Sequence, residues 1–149
     1  MAINTAEYRM STTVDLRYER AVERTREELA KEGFGVLTEI DVRATLKKKL
    51  NEDFRPYIIL GACNPPLAHR ALSSELDIGV FLPCNVIVYQ AEERGKSVVA
   101  AIDPEVSLAR TGNETLRLLA EDVKARLRRV LDAVDAADRG ADGRRNGDL

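Results

Sequence analysis

Two cysteines and one histidine are the most reactive side chains of the chain, and they lie close together in the sequence. Five residues separate Cys63 from His69, and fourteen more separate His69 from Cys84. A cysteine thiolate is a nucleophile and a soft metal ligand, and an imidazole acts as a general base or binds a metal. The spacing therefore predicts a candidate site for thiol chemistry or for metal binding.

The first interpretation is thiol chemistry centred on Cys63. This residue directly precedes Asn64 and Pro65, which are favoured at the start of a helix. The unpaired N–H groups there and the positive end of the helix dipole both favour the thiolate, the reactive form of a cysteine. In this interpretation Cys63 is the nucleophile or redox thiol, His69 is its general base and Cys84 is the resolving thiol.

Two other interpretations of the same three residues stay open. In one, Cys63, His69 and Cys84 bind a soft metal such as zinc, and a water molecule or a carboxylate completes the site. Their spacing does not match a standard structural zinc motif. In the other, both cysteines are small buried residues and His69 is an ordinary helix residue, so that the chain is a non-catalytic interaction or structural module.

The junction that contains Cys63 also has features of a ligand-binding turn. Gly61 allows a ligand to approach the backbone closely, and the N–H groups of a helix that starts at Asn64 can hold a small anionic ligand such as phosphate. The junction lacks the Gly-x4-Gly-Lys pattern of a P-loop. Close packing against a neighbouring element is the alternative explanation for Gly61.

A pair of carboxylates forms a further candidate site. Glu39 and Asp41 share one face of a predicted strand, where they can act as acid and base, hold a hard metal or contact a ligand. A solvated strand face is the alternative. The basic run 47–49 lies on a predicted helix, and we interpret it as a solvated helix face because the chain is acidic overall.

Sequence periodicity predicts the elements that position these residues. Alternating apolar residues indicate strands near 10–16 and 36–42, and a run that is apolar on both faces indicates a central strand at 57–62. The segments 85–90 and 97–103 have the spacing of an antiparallel hairpin. Helical patterns follow each of the first three strands, and a long helix ends the order β-α-β-α-β-α-β-β-α. This order predicts an α+β domain with a mixed, mainly antiparallel sheet and helices packed mostly on one face. The other face then needs cover, and self-association is one way to provide it.

Composition narrows the function classes. A chain of 149 residues with 44% hydrophobic residues forms one domain without disulfides. A net charge of -2, 5% aromatic residues and the lack of tryptophan argue against general nucleic-acid binding. No apolar run is long enough to span a membrane, and the first residues do not resemble a signal peptide. We therefore expect a cytoplasmic protein with reduced thiols and no membrane partner.

Three segments of the chain resemble the DUF302 family, a group of small bacterial and archaeal proteins without an established function. The first runs from Thr-Glu-Ile-Asp-Val at 38–42 to Ala-Thr-Leu-Lys at 44–47. The second joins Gly-Ala-Cys-Asn-Pro at 61–65 to Ala-His-Arg-Ala-Leu at 68–72, and the third is Leu-Pro-Cys-Asn-Val at 82–86.

The resemblance implies one domain over residues 9–135. The residues from 136 on are mainly Asp, Arg and Gly with almost no apolar content, so we expect flexible tails at 136–149 and at 1–8. It also implies an α+β fold with a mixed sheet and a homodimer, but no reaction. The family's pattern positions are occupied by Glu39, Asp41, Cys63, Asn64, His69, Cys84 and Asn85. Asn64 and Asn85 thus join Gly61, Glu39 and Asp41 as candidate ligand-binding residues.

Overall fold

A six-stranded sheet forms the framework of the protein. The computed structural model describes residues 3–147, with side chains described as far as residue 136. The strands are β1 (Asn4–Ala6), β2 (Arg9–Val14), β3 (Gly35–Asp41), β4 (Tyr57–Cys63), β5 (Cys84–Gln90) and β6 (Ser97–Ile102). The helices are α1 (Tyr18–Lys31), α2 (Val42–Leu50), α3 (Pro65–Ser74), α4 (Pro104–Ser107) and α5 (Glu114–Gly147), with 3₁₀ segments at Leu76–Phe81 and Ala109–Thr111.

The predicted α+β class is confirmed, and so is the predicted order of elements from β2 onwards, except that the four-residue helix α4 is added before the last helix. The spatial order of the strands is β1-β2-β6-β5-β4-β3, and the five pairings within residues 3–147 are antiparallel. The parallel component expected of a mixed sheet is therefore wrong. Helix α2 joins β3 to its neighbour β4, and α3 joins β4 to its neighbour β5. In each connection the second strand starts at the end of the sheet where the first one stops, whereas a parallel neighbour would need a crossover to the opposite end.

Both predicted tails carry secondary structure in the described residues. Strand β1 lies within the expected lead-in 1–8 and pairs with β2. Helix α5 continues to Gly147, inside the expected tail 136–149. Residues 1, 2, 148 and 149 lie outside the described part of the chain. The flexibility of both tails stays a prediction.

One face of the sheet forms the core with α1, α3 and α5. Burial alternates along β2 and β5, as half-buried strands require. Met10 and Val14 of β2 point to the same side as Val86 and Val88 of β5, and all four are fully buried. This side of the sheet packs against the helices, which confirms the expected one-sided arrangement.

Helix α5 covers much of this core through one apolar stripe. The stripe is buried throughout and consists of Leu116, Leu119, Ala120, Val123, Leu127, Val130, Leu131 and Val134. Asn113 caps the helix, because its Oδ1 accepts hydrogen bonds from the backbone N–H groups of Thr115 at 2.9 Å and Leu116 at 3.3 Å. In the part of the chain that the structure describes, no helix combines the length and the apolar composition needed to cross a membrane.

Strand β3 forms one edge of the sheet and is poorly covered. Only Val36 is partly buried among its residues. A bulge between Val36 and Thr38 takes Leu37 out of the pairing with β4. Leu37 is 67% exposed and Ile40 is 48% exposed. The edge therefore presents apolar side chains and unpaired backbone groups to solvent.

Candidate ligand cavity beside Cys63

The start of α3 is held in place by the side chain of Asn64. Its Oδ1 accepts a hydrogen bond from the N–H of Leu67 at 3.3 Å, so the predicted helix cap is confirmed. Its Nδ2 donates to the backbone carbonyl of Glu32 at 3.4 Å, and Arg126 Nη1 donates to the same oxygen at 3.0 Å. Asn64 is thus committed to the protein, and it joins α3 to the turn after α1.

A cavity of about 280 Å³ opens beside this junction, between the ends of β4 and β5 and helices α3 and α5. Its lining consists of Phe34, Leu37, Ala62, Cys63, Asn64, Leu67, Ala68, Ala71, Leu72, Leu82, Pro83, Cys84, Leu108, Leu119 and Val123. Apart from one amide and two thiols these side chains are apolar, and within the described residues the lining carries no charge. The cavity therefore suits an uncharged apolar group better than the small anion expected at the junction.

The two cysteines meet at this cavity but differ in environment. Cys84 is the cross-strand partner of Ala62 and is buried, whereas Cys63 is only half-buried. Burial, and secondarily the charge of a Cys63 thiolate, raises the pKa of the Cys84 thiol to about 11. Cys84 is therefore a neutral thiol at physiological pH, which is unfavourable for thiolate chemistry at this residue.

His69 does not join the cysteines at the cavity. It is exposed, and it is not part of the cavity lining, although Leu67, Ala68 and Ala71 of the same helix are. Leu67 and Ala71 are one turn apart and both buried. A residue two positions from each lies on the opposite side of a helix, since successive residues are about 100° apart. The interpretation of His69 as the base for Cys63 is therefore not supported.

The soft-metal interpretation also lacks an assembled ligand set. Among the described residues, no group of three or more histidine, cysteine, aspartate or glutamate side chains is arranged to hold a metal ion. The separation of His69 from Cys63 and Cys84 is the physical reason. Within the described residues, Cys63, His69 and Cys84 therefore do not assemble into the expected zinc site.

The space beside Gly61 is occupied by protein. A Cβ added at this glycine would stand 2.8 Å from Cγ of Pro83 and would collide with Oγ1 of Thr38. Gly61 pairs with Asn85 on one side and with Thr38 on the other. The close-packing alternative thus explains this glycine, and the backbone there is not open to a ligand.

The two candidate carboxylates have separate structural partners. Glu39 forms an ion pair with Arg26 of α1. Asp41 caps α2, because its Oδ1 accepts the backbone N–H of Ala44 at 2.9 Å. Burial and then the charge of Asp41 raise the pKa of the nearby Tyr18. Glu39 and Asp41 are exposed, so the solvated-face alternative describes them better than an acid–base pair or a hard-metal site.

Asn85 lies on the other side of the sheet from the cavity. Its side chain is exposed, while its neighbours Cys84 and Val86 face the core. It lines a different concavity on the open face of the sheet. The candidate ligand-binding residues therefore do not form one site, and only Asn64 among them lines the cavity beside Cys63.

Sequence reasoning missed most of the residues that build the cavity. Leu67 and Ala71 on α3 and Leu119 and Val123 on α5 have the i, i+4 spacing of core-facing pairs. That spacing predicts burial against the sheet. It does not indicate that the two helices leave space between them, because cavity volume depends on helix placement.

Comparison with known proteins agrees with the fold. The sequence model of DUF302, described as a domain of unknown function, matches residues 10–134. A crystal structure of an uncharacterized conserved DUF302 protein from Bacillus stearothermophilus is 35% identical to this chain, with a TM-score of 0.78. That match covers 87% of this chain and 99% of the other. No curated protein matches this chain.

Proposed function

Since the chain belongs to the DUF302 family, whose function is unknown, we propose that it binds a small apolar, uncharged ligand in the cavity beside Cys63. The observation that carries this proposal is the lining. It brings apolar side chains from the sheet, α3 and α5 around two thiols, without a charge among the described residues. Ligand sites are typically apolar concavities with a few polar groups that orient the ligand.

The size of the cavity limits the ligand to one or two small rings. An engineered protein cavity of about 150 Å³ stays dry and binds benzene. The present cavity of about 280 Å³ is nearly twice as large and is open on one side. Its rim includes Leu37 and Leu72, which are partly exposed, whereas Leu67 and Leu119 are buried deeper. A ligand would therefore enter past the two exposed leucines.

The thiols distinguish this cavity from a purely hydrocarbon one. The neutral Cys84 thiol is a small polarizable contact with a weak S–H donor. Cys63 is half-buried, so a ligand can reach it and solvent can also reach it. Thiol chemistry at Cys63, in which its thiol reacts with a bound electrophile, stays a prediction.

Toluene and indole binding, measured as a shift in melting temperature, tests the proposal. A ligand whose free concentration is about 100 times its Kd adds about 2.7 kcal/mol to the free energy of unfolding. Ala68→Leu fills part of the cavity and should abolish the shift. Ala125→Leu makes the same change on an exposed position of α5 and should keep it.

Three results would contradict ligand binding in the cavity beside Cys63. Equal shifts in both variants would place the probes elsewhere, and protein NMR chemical-shift changes confined to residues outside α3, α5 and β4 would do the same. If neither probe binds and Ala68→Leu raises the melting temperature, the cavity is a packing defect. The alternative of a non-catalytic structural module with buried cysteines would then be favoured.

We also propose that two copies of the chain associate through an apolar mouth patch formed by Leu37, Leu72, Leu76, Val80 and Phe81. Leu76 and Val80 are each 83% exposed. A contiguous apolar patch of this kind is uncommon on the surface of a monomeric protein. The 3₁₀ segment that carries them packs on α3, where a Cβ on Gly79 would lie 3.8 Å from Leu72 Cδ2. Leu37 and Leu72 also line the cavity, so a second copy would cover its opening.

Light scattering coupled to size-exclusion chromatography tests the association. The wild-type protein should elute with twice the monomer mass, and Val80→Glu should elute as a monomer because a charge is costly in an apolar interface. Leu118→Glu provides the matched control, since Leu118 is exposed on α5 outside the mouth patch. A monomeric wild type, or dissociation caused equally by both variants, would reject the mouth patch as an interface.

A further inference from the structure

The face of the sheet turned away from α1 and α5 carries a larger concavity. A groove of about 640 Å³ crosses the central strands, with Ile87, Val98 and Ala100 in its floor. Strands β5 and β6 lie between β2 and β4 in the sheet, so the groove has one side near residues 8–9 and the other near residues 54–57. The groove shares no lining residue with the cavity beside Cys63 among the described side chains.

Aromatic rings are concentrated in this groove. The chain has four tyrosines and three phenylalanines. Four of these seven rings line the groove, namely those of Tyr8, Phe54, Tyr57 and Tyr89. Tyr57 and Tyr89 are cross-strand partners whose rings stack at 5.3 Å with planes 7° apart. Phe54 packs at 6.2 Å against Tyr57, so one side of the groove presents ring surface to a ligand.

Two arginines stand at opposite sides of the groove. Arg9 Nη1 donates to the carbonyl of Asn4 at 3.3 Å, and Arg55 Nη1 donates to the carbonyl of Gln90 at 3.2 Å. Each guanidinium has five N–H donors, so each retains donors for a ligand. Arg55 Nη2 lies 4.0 Å from the carboxylate of Glu92, whose side chain is almost fully exposed. An exposed pair of this kind competes weakly with a ligand.

The lining carries positive charge in an acidic protein. The net charge of the chain is -2, yet the groove lining contains two arginines and no aspartate or glutamate among the described residues. Ser11 and Asn85 add uncharged polar groups. We propose that this groove binds a small aromatic anion, a planar ring that bears a carboxylate or a phosphate. The ring packs on the Tyr57–Tyr89 side, and Arg55, whose guanidinium lies 6.0 Å from the centre of the Tyr89 ring, holds the anionic group.

A second copy of the chain fits this groove less well. A two-fold contact brings the same patch of both copies together. Arg9 and Arg55 of one copy would then approach those of the other, without a carboxylate in the lining to pair with them. Like charges facing each other across an interface are unfavourable. A small anion instead supplies the missing negative charge, and a groove of about 640 Å³ lies within the usual range for small-molecule sites.

Calorimetric titration with 2-naphthoate, 2-naphthamide and acetate tests the proposal. We expect 2-naphthoate to bind about ten-fold more tightly than the neutral amide, and acetate, which has no ring, not to bind measurably. Arg55→Gln should weaken 2-naphthoate about ten-fold and leave the amide unchanged, whereas Arg55→Lys should retain most of the affinity. Arg43→Gln, an exposed position on α2 outside the groove, should leave all three titrations unchanged.

The titration also separates this site from the cavity beside Cys63. Ala68→Leu should leave 2-naphthoate binding intact, because Ala68 lines only the cavity. In the Ala68→Leu background, where the cavity beside Cys63 is filled, equal affinity for 2-naphthoate and its amide would overturn the proposal, and so would an affinity for 2-naphthoate that is unchanged in Arg55→Gln. Dimer dissociation caused by Ile87→Glu would assign the groove to a second copy instead. Circular dichroism of each variant establishes that it is folded.

Discussion

Asn64 is hydrogen-bonded to the backbone of Glu32 across 3.4 Å, while its other side-chain atom caps α3. One buried amide thereby fixes the start of the helix that forms a wall of the cavity. Asn64→Ala should lower the free energy of unfolding by about 2 kcal/mol, since it removes a helix cap and leaves the part-buried carbonyl of Glu32 with one donor fewer. Urea unfolding at neutral pH measures the change.

Asn64→Ser separates the two roles of this amide. Serine keeps an oxygen that can cap the helix, but it loses the Nδ2 donor to Glu32. We expect a loss of stability between that of the wild type and that of Asn64→Ala. If both variants match the wild type, the amide is not a structural anchor, and Asn64 becomes available again as a ligand contact.

Gly61→Ala should destabilise the protein by about 1 to 3 kcal/mol, the usual range for overpacking a filled site. The added methyl group would meet Thr38 and Pro83. The double variant Gly61→Ala with Thr38→Ala should recover part of the loss, because it removes the closer of the two neighbours. Thermal and urea unfolding of the single and double variants measure the coupling.

Gly35→Ala provides the control for this prediction. Gly35 lies in the neighbouring strand β3, and a Cβ there would meet no atom within 4 Å. It should unfold close to the wild-type midpoint. Equal destabilisation at both positions would show that strand glycines in general, rather than the packing at Gly61, determine the effect.

The main elements could be predicted because each has a local signal. The hairpin of β5 and β6, the stripe of α5 and the caps at Asn64 and Asn113 all follow from periodicity or residue type and agree with the structure. Strand β1 was missed because it has three residues without an apolar pattern and depends on pairing with β2. The antiparallel sheet depends on where each connection returns, which no local pattern encodes.

The candidate site was less predictable than the fold. Cys63 and Cys84 do line one cavity. They lie close together because the strand register puts Cys84 opposite Ala62, the residue before Cys63. The exposure of His69 could have been anticipated, because it lies two residues from Leu67 and so falls on the far side of the helix. The neighbours of Gly61 could not be anticipated, because they lie on other elements. The partner of Asp41 could not be anticipated either, because it depends on where α2 begins.

Native thiol labelling should distinguish the two cysteines. Cys63 is half-buried and Cys84 is buried with a raised pKa, so a thiol-specific disulfide reagent at pH 7.5 should modify one thiol per chain quickly. Peptide mass spectrometry should place that label on Cys63, and denaturant should release the second thiol. A labelling rate of Cys63 no faster than that of a small free thiol would remove it as an activated nucleophile. Similar rates at both positions would contradict the burial of Cys84.

The raised pKa of Cys84 also predicts how stability depends on pH. The folded protein holds the Cys84 proton more tightly than the unfolded chain, because burial raises the pKa from its ordinary value of 9.0 to about 11. This contribution is complete below pH 9, falls as the pH rises and is lost by about pH 11. Its size is on the order of 2 to 3 kcal/mol. The wild type should therefore lose more stability over this interval than Cys84→Ala, as measured by urea unfolding at each pH. Cys63→Ser should retain most of the wild-type slope, since burial is the larger cause, and parallel curves for the wild type and Cys84→Ala would contradict a buried neutral thiol.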